Sequence, residues 1–241
     1  MIEKFNKNQK EFNIRYARQI AIPEIGSSGQ RKIASAKVLV IGCGALGSMV
    51  AMQLAGAGVG YLGIADYDNI EVSNLQRQFF FLSSQAGKPK AVILSEKITG
   101  LNPEVIVKVH NILITQKIAF DIFPDYDFIV DATDNPDSKT MIDAVSGELH
   151  KPCCIGGVRD FSGQVITLLP DDMRFNEIFG ETGSGAFMPC SLGGVAGPAA
   201  ALCASIQAAE VLKYITGAGE LLSGKLLTFN MQTNSYNIFT L

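Results

Sequence analysis

Three glycines stand in the pattern Gly42-Cys43-Gly44-Ala45-Leu46-Gly47, directly after the apolar run Lys37-Val-Leu-Val-Ile41. Such a loop lets a backbone turn tightly, approach a phosphate and then open a helix packed closely on its strand. The free N–H groups of that helix start favour an anion. Asp66 lies 19 residues after Gly47, at the end of the next apolar run, where a carboxylate can accept hydrogen bonds from a ribose. The same loop with Asp66 serves a nicotinamide cofactor or ATP equally well. An ATP site needs more: cations near the phosphates and a metal ligand. No P-loop of the G-x-x-x-x-G-K-[ST] type is present. Asp66-Tyr-Asp68 is followed by Ser73-Asn-Leu-Gln-Arg-Gln78, a run of amide and guanidinium donors. Arg77 can grip phosphate oxygens in a bidentate manner. Lys90, in Lys88-Pro-Lys90, falls in the first turn of the next helix, against the helix dipole. That conflict points to function, although a lone lysine is commonly just solvated. Asp134 follows the fourth strand, where a carboxylate can hold Mg²⁺ with phosphates; with Asn135 before Pro136 it also suits a helix cap. Each residue alone has a bland explanation, but together they gather at one sheet edge.

The elements that must position these groups follow from periodicity. Strands are expected at residues 37–41, 61–65, 105–109 and 128–130, and helices at 45–57, 88–99 and 137–149, with Gly100 as a stop. Strands alternating with helices over the first 150 residues predict an α/β, Rossmann-like, doubly wound and mainly parallel sheet. Residues 153–157 and 164–169 look like strands with no full helix between them. Residues 170–189 form a long polar loop. A helix opens at Pro198, with Leu202, Ile206, Ala209 and Leu212 on one face. Residues 225–229 and 235–239 close the chain as an antiparallel pair. The whole reads as one domain over 1–241: a helical arm (1–36), a nucleotide-binding half (37–150) and a second half (151–241) with a crossover loop at 170–190.

Composition excludes several classes. The 241 residues are 47% hydrophobic and 18% charged with a net charge of −3, which fits a compact domain and argues against a nucleic-acid or anionic-membrane partner. The opening ten residues are polar, unlike a signal peptide. The uncharged stretch 191–209 is broken by Gly193, Gly194, Gly197 and Pro198, and reads as a buried or interface helix rather than a membrane span. Five cysteines, Cys43, Cys153, Cys154, Cys190 and Cys203, are an odd count without a disulfide framework, as expected for a reduced, cytoplasmic protein.

The chain resembles the ThiF/MoeB/HesA family, bacterial relatives of the ubiquitin-activating enzymes. The resemblance runs from about Tyr16 to the C-terminus. It is carried by Arg15-Tyr-Ala-Arg-Gln19, Gly42-Cys-Gly-Ala-Leu-Gly47, Asp66-Tyr-Asp68, Ser73-Asn-Leu-Gln-Arg-Gln78, Gly87-Lys-Pro-Lys90 and Asp131-Ala-Thr-Asp-Asn135. It implies ATP-dependent adenylation of the C-terminal Gly carboxylate of a small ubiquitin-like sulfur-carrier protein ending in Gly-Gly. The product, an acyl adenylate, would serve thiamine or molybdopterin synthesis, with a sulfurtransferase or cysteine desulfurase as a further partner. Asp66 would bind the ribose; Asn74, Arg77 and Lys90 would hold the triphosphate; Asp134 would hold Mg²⁺. Gly42, Gly44, Ala45, Gly47, Asp68, Ser73, Gln78 and Asn135 complete the expected ATP contacts. Arg18 would reach across a two-fold homodimer into the partner's ATP site. Ala45 stands where the family has a glycine.

Cys190, before a glycine-rich helix start, occupies the family's reactive cysteine position; the alternative is a small buried residue. Cys43 and Cys203 read as structural. The two C-x-x-C pairs that bind zinc in many members are absent, so no zinc is expected and the crossover loop is expected to be mobile. Three rivals remain: an enzyme like the tRNA threonylcarbamoyladenosine dehydratase, a Rossmann oxidoreductase and a non-catalytic binding module. The acidic balance and the Ser73–Gln78 motif favour a protein substrate over tRNA. Arg77, Lys90 and Asp134 have no evident role in the oxidoreductase, and the retained Arg77 and Asp134 argue against the binding module.

Overall fold

The computed structural model describes residues 12–180 and 193–241. Eight strands form one sheet in the order β3-β2-β1-β4-β5-β6-β7-β8. These are β1 Lys37–Ile41, β2 Tyr61–Ala65, β3 Ile106–His110, β4 Phe128–Asp131, β5 Cys153–Arg159, β6 Ser162–Leu168, β7 Lys225–Asn230 and β8 Ser235–Thr240. The first five pair in parallel, and β5 to β8 pair antiparallel. The expected Rossmann-like sheet with antiparallel strands at its C-terminal end is therefore what forms.

The helices among the described residues are α1 Ala17–Ile20, α2 Gly26–Ser35, α3 Ala45–Ala57, α4 Lys90–Leu101, α5 Gln116–Ile122, α6 Pro136–Glu148, α7 Phe175–Phe179 and α8 Gly197–Thr216. They cover both sheet faces, and β1 shows why. Its side chains alternate, so Val38 and Val40 enter one core with residues of α3, α4 and α8. Leu39 and Ile41 enter a second core with residues of α5, α6 and α7. A strand buried on both faces needs a continuous apolar run, which is what β1 has. The strand order reverses between β1 and β4, and a crevice opens at their carboxyl ends, the usual ligand position in open α/β sheets.

Three local differences from the sequence expectations have clear causes. Helix α4 runs past Gly100 to Leu101 and stops at Asn102, whose extended backbone precedes Pro103. Helix α5 was not expected; Thr115 caps it by accepting from the Ile118 N–H. On α8 the buried stripe is Ala200, Cys203, Ala204, Gln207, Ala208 and Val211, not the Leu202–Leu212 face. Small residues let α8 lie close against α3, β5 and β6, and the larger Leu202, Ile206 and Leu212 flank that contact.

The crossover up to Gly180 packs on α6. Arg174 donates to the Leu169 and Asp172 carbonyls and pairs with Asp143 at 3.3 Å, while the Phe175 N–H donates to Asp143 at 2.7 Å.

Candidate functional site

A cavity of 420 Å³ opens at the β1–β4 switch point. Its floor is the glycine loop. Gly42 has φ of +92°, and a Cβ there would meet the Ala132 carbonyl oxygen at 2.7 Å. A Cβ on Gly47 would fall 1.7 Å from the Gly42 carbonyl oxygen, so this residue packs the helix on the loop and does not itself line the cavity. Gly44 and Ala45 do line it, at the N-terminus of α3.

Asp66 follows β2 and ties the loop down. Its Oδ2 accepts from the Cys43 N–H at 2.6 Å and its Oδ1 from the Asp68 N–H at 2.7 Å. Burial pushes the Asp66 carboxyl above its ordinary range, against the downward pull of those N–H donors and of Lys90. Lys90 is the first residue of α4, and its position is set by backbone pairing of residues 68–70 with 88–90. Its ammonium lies 2.9 Å from Asp68 Oδ2, which offsets the unfavourable helix dipole. The Lys90 side chain is 7% exposed and Asp68 48% exposed, and both line the cavity.

Asn74, Arg77 and Gln78 come from the short turn after β2. Arg77 donates to the Ser73 carbonyl at 3.3 Å and faces the cavity. Gln78 is 4% exposed, and its Oε1 has no protein partner. A buried acceptor left unpaired is costly, so Gln78 marks a place where a bound molecule belongs. Ser73 does not line the cavity; its hydroxyl donates to Glu71 and accepts from Asn74.

Asp134 is exposed at the cavity wall after β4. Its neighbour Asn135 supplies the helix cap, accepting from the Ser138 N–H at 2.8 Å, which leaves Asp134 to face the cavity. Among the described residues no three His, Cys, Asp or Glu side chains gather into a metal-binding group. A cation beside Asp134 would take its other ligands from phosphate and water, as Mg²⁺ does. The glycine cradle, the unpaired Gln78 acceptor, Arg77, Lys90 and the exposed Asp134 thus fit a nucleotide triphosphate with its Mg²⁺.

Besides Gly47 and Ser73, one more expected residue among those described is not in this cavity. Arg18 is exposed on α1 and does not reach the cavity of its own chain. Cys190 lies outside the described residues. Conversely, sequence reasoning missed a wall made by Ile112, Leu113, Gly157, Val158 and Val195. The only signal for it was the apolar pair Ile112-Leu113 just past the end of β3. It also missed Asp131 and Lys139, buried beside the site.

Residues 16–241 match the ThiF family. The chain is 34% identical over 247 residues to a probable adenylyltransferase/sulfurtransferase MoeZ of Mycobacterium tuberculosis, covering 100% of this chain and 63% of that one. It is 34% identical over 243 residues to a sulfur carrier protein adenylyltransferase of Thermus thermophilus, covering 96% and 88%. It thus spans less than two thirds of the first relative. Escherichia coli MccB, crystallised with MccA-N7isoASN, superposes with a TM-score of 0.80 over 95% of this chain and 71% of that one; at 22% identity this likeness concerns the fold.

Proposed function

Because the chain belongs to the ThiF family, we propose that it adenylates the C-terminal Gly carboxylate of a small ubiquitin-like sulfur-carrier protein, with ATP and Mg²⁺. The observation that carries this reading is one cavity holding a glycine cradle, Arg77, Lys90 and Asp134 together. A carboxylate is a poor electrophile and repels a triphosphate. Arg77 and Lys90 lower that repulsion and stabilise charge on departing pyrophosphate, and Asp134 would hold a Mg²⁺ that would supply further charge stabilisation. The nucleophile is already ionised, so no side-chain base is needed. Holding it in line with the α-phosphate supplies much of the remaining rate.

Asp66 accepts from the ribose, Asn74 completes the phosphate contacts, and the Gln78 Oε1 accepts from an N–H or O–H of the nucleotide. In a two-fold homodimer the exposed Arg18 would enter the partner's cavity. The antiparallel half would receive the carrier, with Tyr236, Ile238 and Phe239 exposed on the edge strand β8 as apolar surface. Cys190 is assigned the passing of the acyl or sulfur unit, by its position in the family pattern alone. A thiamine or molybdopterin route then follows from which carrier is accepted.

Pyrophosphate exchange into ATP tests this. Exchange is expected only with a carrier ending in Gly-Gly. Asp134→Ala should abolish it while the circular dichroism spectrum and melting temperature stay unchanged, because Asp134 is exposed. Exchange retained by Asp134→Ala removes the metal role, and no exchange with any such carrier overturns the whole reading. Cys190→Ala is expected to keep exchange and lose sulfur transfer.

A further inference from the structure

Beside the cavity lies a charge pair that does not line it. Lys139 on α6 and Asp131 at the end of β4 have side chains 1% and 0% exposed, with Lys139 Nζ 3.1 Å from Asp131 Oδ2. Neither residue lines the cavity, but Asp131 holds Thr133, which does, and Lys139 holds Gly156, the neighbour of a lining residue. The other carboxylate oxygen of Asp131 accepts from the Thr133 N–H at 2.9 Å and from the Thr133 hydroxyl at 2.7 Å. That is an Asx turn, and it leads directly into Asp134. Lys139 Nζ also donates to the Gly156 carbonyl at 2.7 Å, one residue before the wall formed by Gly157 and Val158. From α8, Gln207 Nε2 donates to the Asp131 carbonyl at 2.9 Å and to the Cys154 carbonyl at 3.3 Å. Three elements, β4, β5 and α6, therefore meet at one sealed ammonium and carboxylate, and α8 bonds the backbone beside them.

A sealed ion pair is a poor source of stability, because removing both charges from water costs about as much as their attraction gains. What it does supply is position. An apolar pair of the same volume fills the space but cannot hold the Thr133 N–H, the Thr133 hydroxyl and the Gly156 carbonyl at once. We infer that Lys139 is a positioning residue. Through Asp131 it fixes the turn that presents Asp134, and through Gly156 it fixes the neighbouring wall. It thereby sets where a cation on Asp134 sits relative to the rest of the cavity. This rests on the metal role proposed for Asp134.

The test reads two quantities other than turnover: hydrogen exchange of the Thr133 amide, and calorimetric ATP affinity with and without Mg²⁺. Lys139→Met is expected to speed Thr133 exchange roughly tenfold or more, and to weaken the Mg²⁺-dependent part of ATP affinity by a similar factor. Affinity for ATP without Mg²⁺ should stay within about twofold, because Asp66 and the glycine loop are untouched. Lys139→Arg, which keeps the charge, should recover part of both. Wild-type values for Lys139→Met in both measurements overturn the inference. Should Lys139→Met not fold, Asp131→Leu/Lys139→Met, which leaves neither a buried charge nor an acceptor for Thr133, takes its place with the same expected and overturning results. If Mg²⁺ adds nothing to wild-type ATP affinity, the reading of Asp134 fails instead. Thr133 exchange then still decides whether Lys139 holds the turn.

Discussion

The molecule contains two Lys–Asp pairs near one cavity, with almost the same separation and opposite surroundings. Lys90 and Asp68 lie 2.9 Å apart with Asp68 48% exposed; Lys139 and Asp131 lie 3.1 Å apart with both side chains sealed. The first pair lines the cavity, so Lys90 can exchange a solvated carboxylate for a phosphate at little cost. The second lies behind the wall, where Lys139 has no route to a ligand. Exposure of the paired carboxylate, not residue type, separates the two lysines.

The comparison can be broken most decisively by stability. Lys139→Met strands the sealed Asp131 carboxylate, and such a loss costs about 3–5 kcal/mol. Urea denaturation should show it as a lower midpoint with an unchanged slope. Lys90→Met leaves Asp68 in contact with water, so the same measurement should fall by no more than about 1 kcal/mol. Its effect should appear in ATP affinity instead, at about 1.5–3 kcal/mol for a charge-assisted hydrogen bond. Equal stability losses for the two variants would dissolve the distinction.

A smaller and sharper test uses Asp66, partly buried on the Lys90 side of the cavity. Burial raises its folded carboxyl above the unfolded value. The stability this group contributes is then fully present below the ordinary carboxylate range and is lost as pH rises through the raised value. Asp66→Asn cannot ionise. Its melting temperature relative to wild type should therefore climb as pH goes from about 4 to about 7. A flat difference would mean that Asp66 titrates as it does unfolded.

Much of this was legible beforehand. The Gly42–Gly47 loop, Asp66, Arg77, Lys90 and Asp134 were each placed at the carboxyl edge by strand periodicity, and the cavity brings them together there. Less legible were features defined by what packs on them. The buried stripe of α8 follows alanines, because close approach to α3 favours small residues, and hydrophobicity alone picked the flanking leucines. Lys139 lies eight residues after Asp131 and reads as a surface lysine of a polar helix start. Ile112 and Leu113 look like loop residues until the sheet twist brings them over the cavity.

The sequence by itself determined the local chemistry. Apolar runs gave parallel strands, glycines gave a turn with room for phosphate, and an asparagine before a proline gave a helix cap. Those outcomes depend on neighbours in the chain, whose preferences are strong and short-ranged. The tertiary structure alone decided which lysine faces the ligand, which carboxylate is sealed and where the second wall stands. Exposure and partner geometry are set by residues far apart in sequence, and only the closed sheet with both helical layers fixes them.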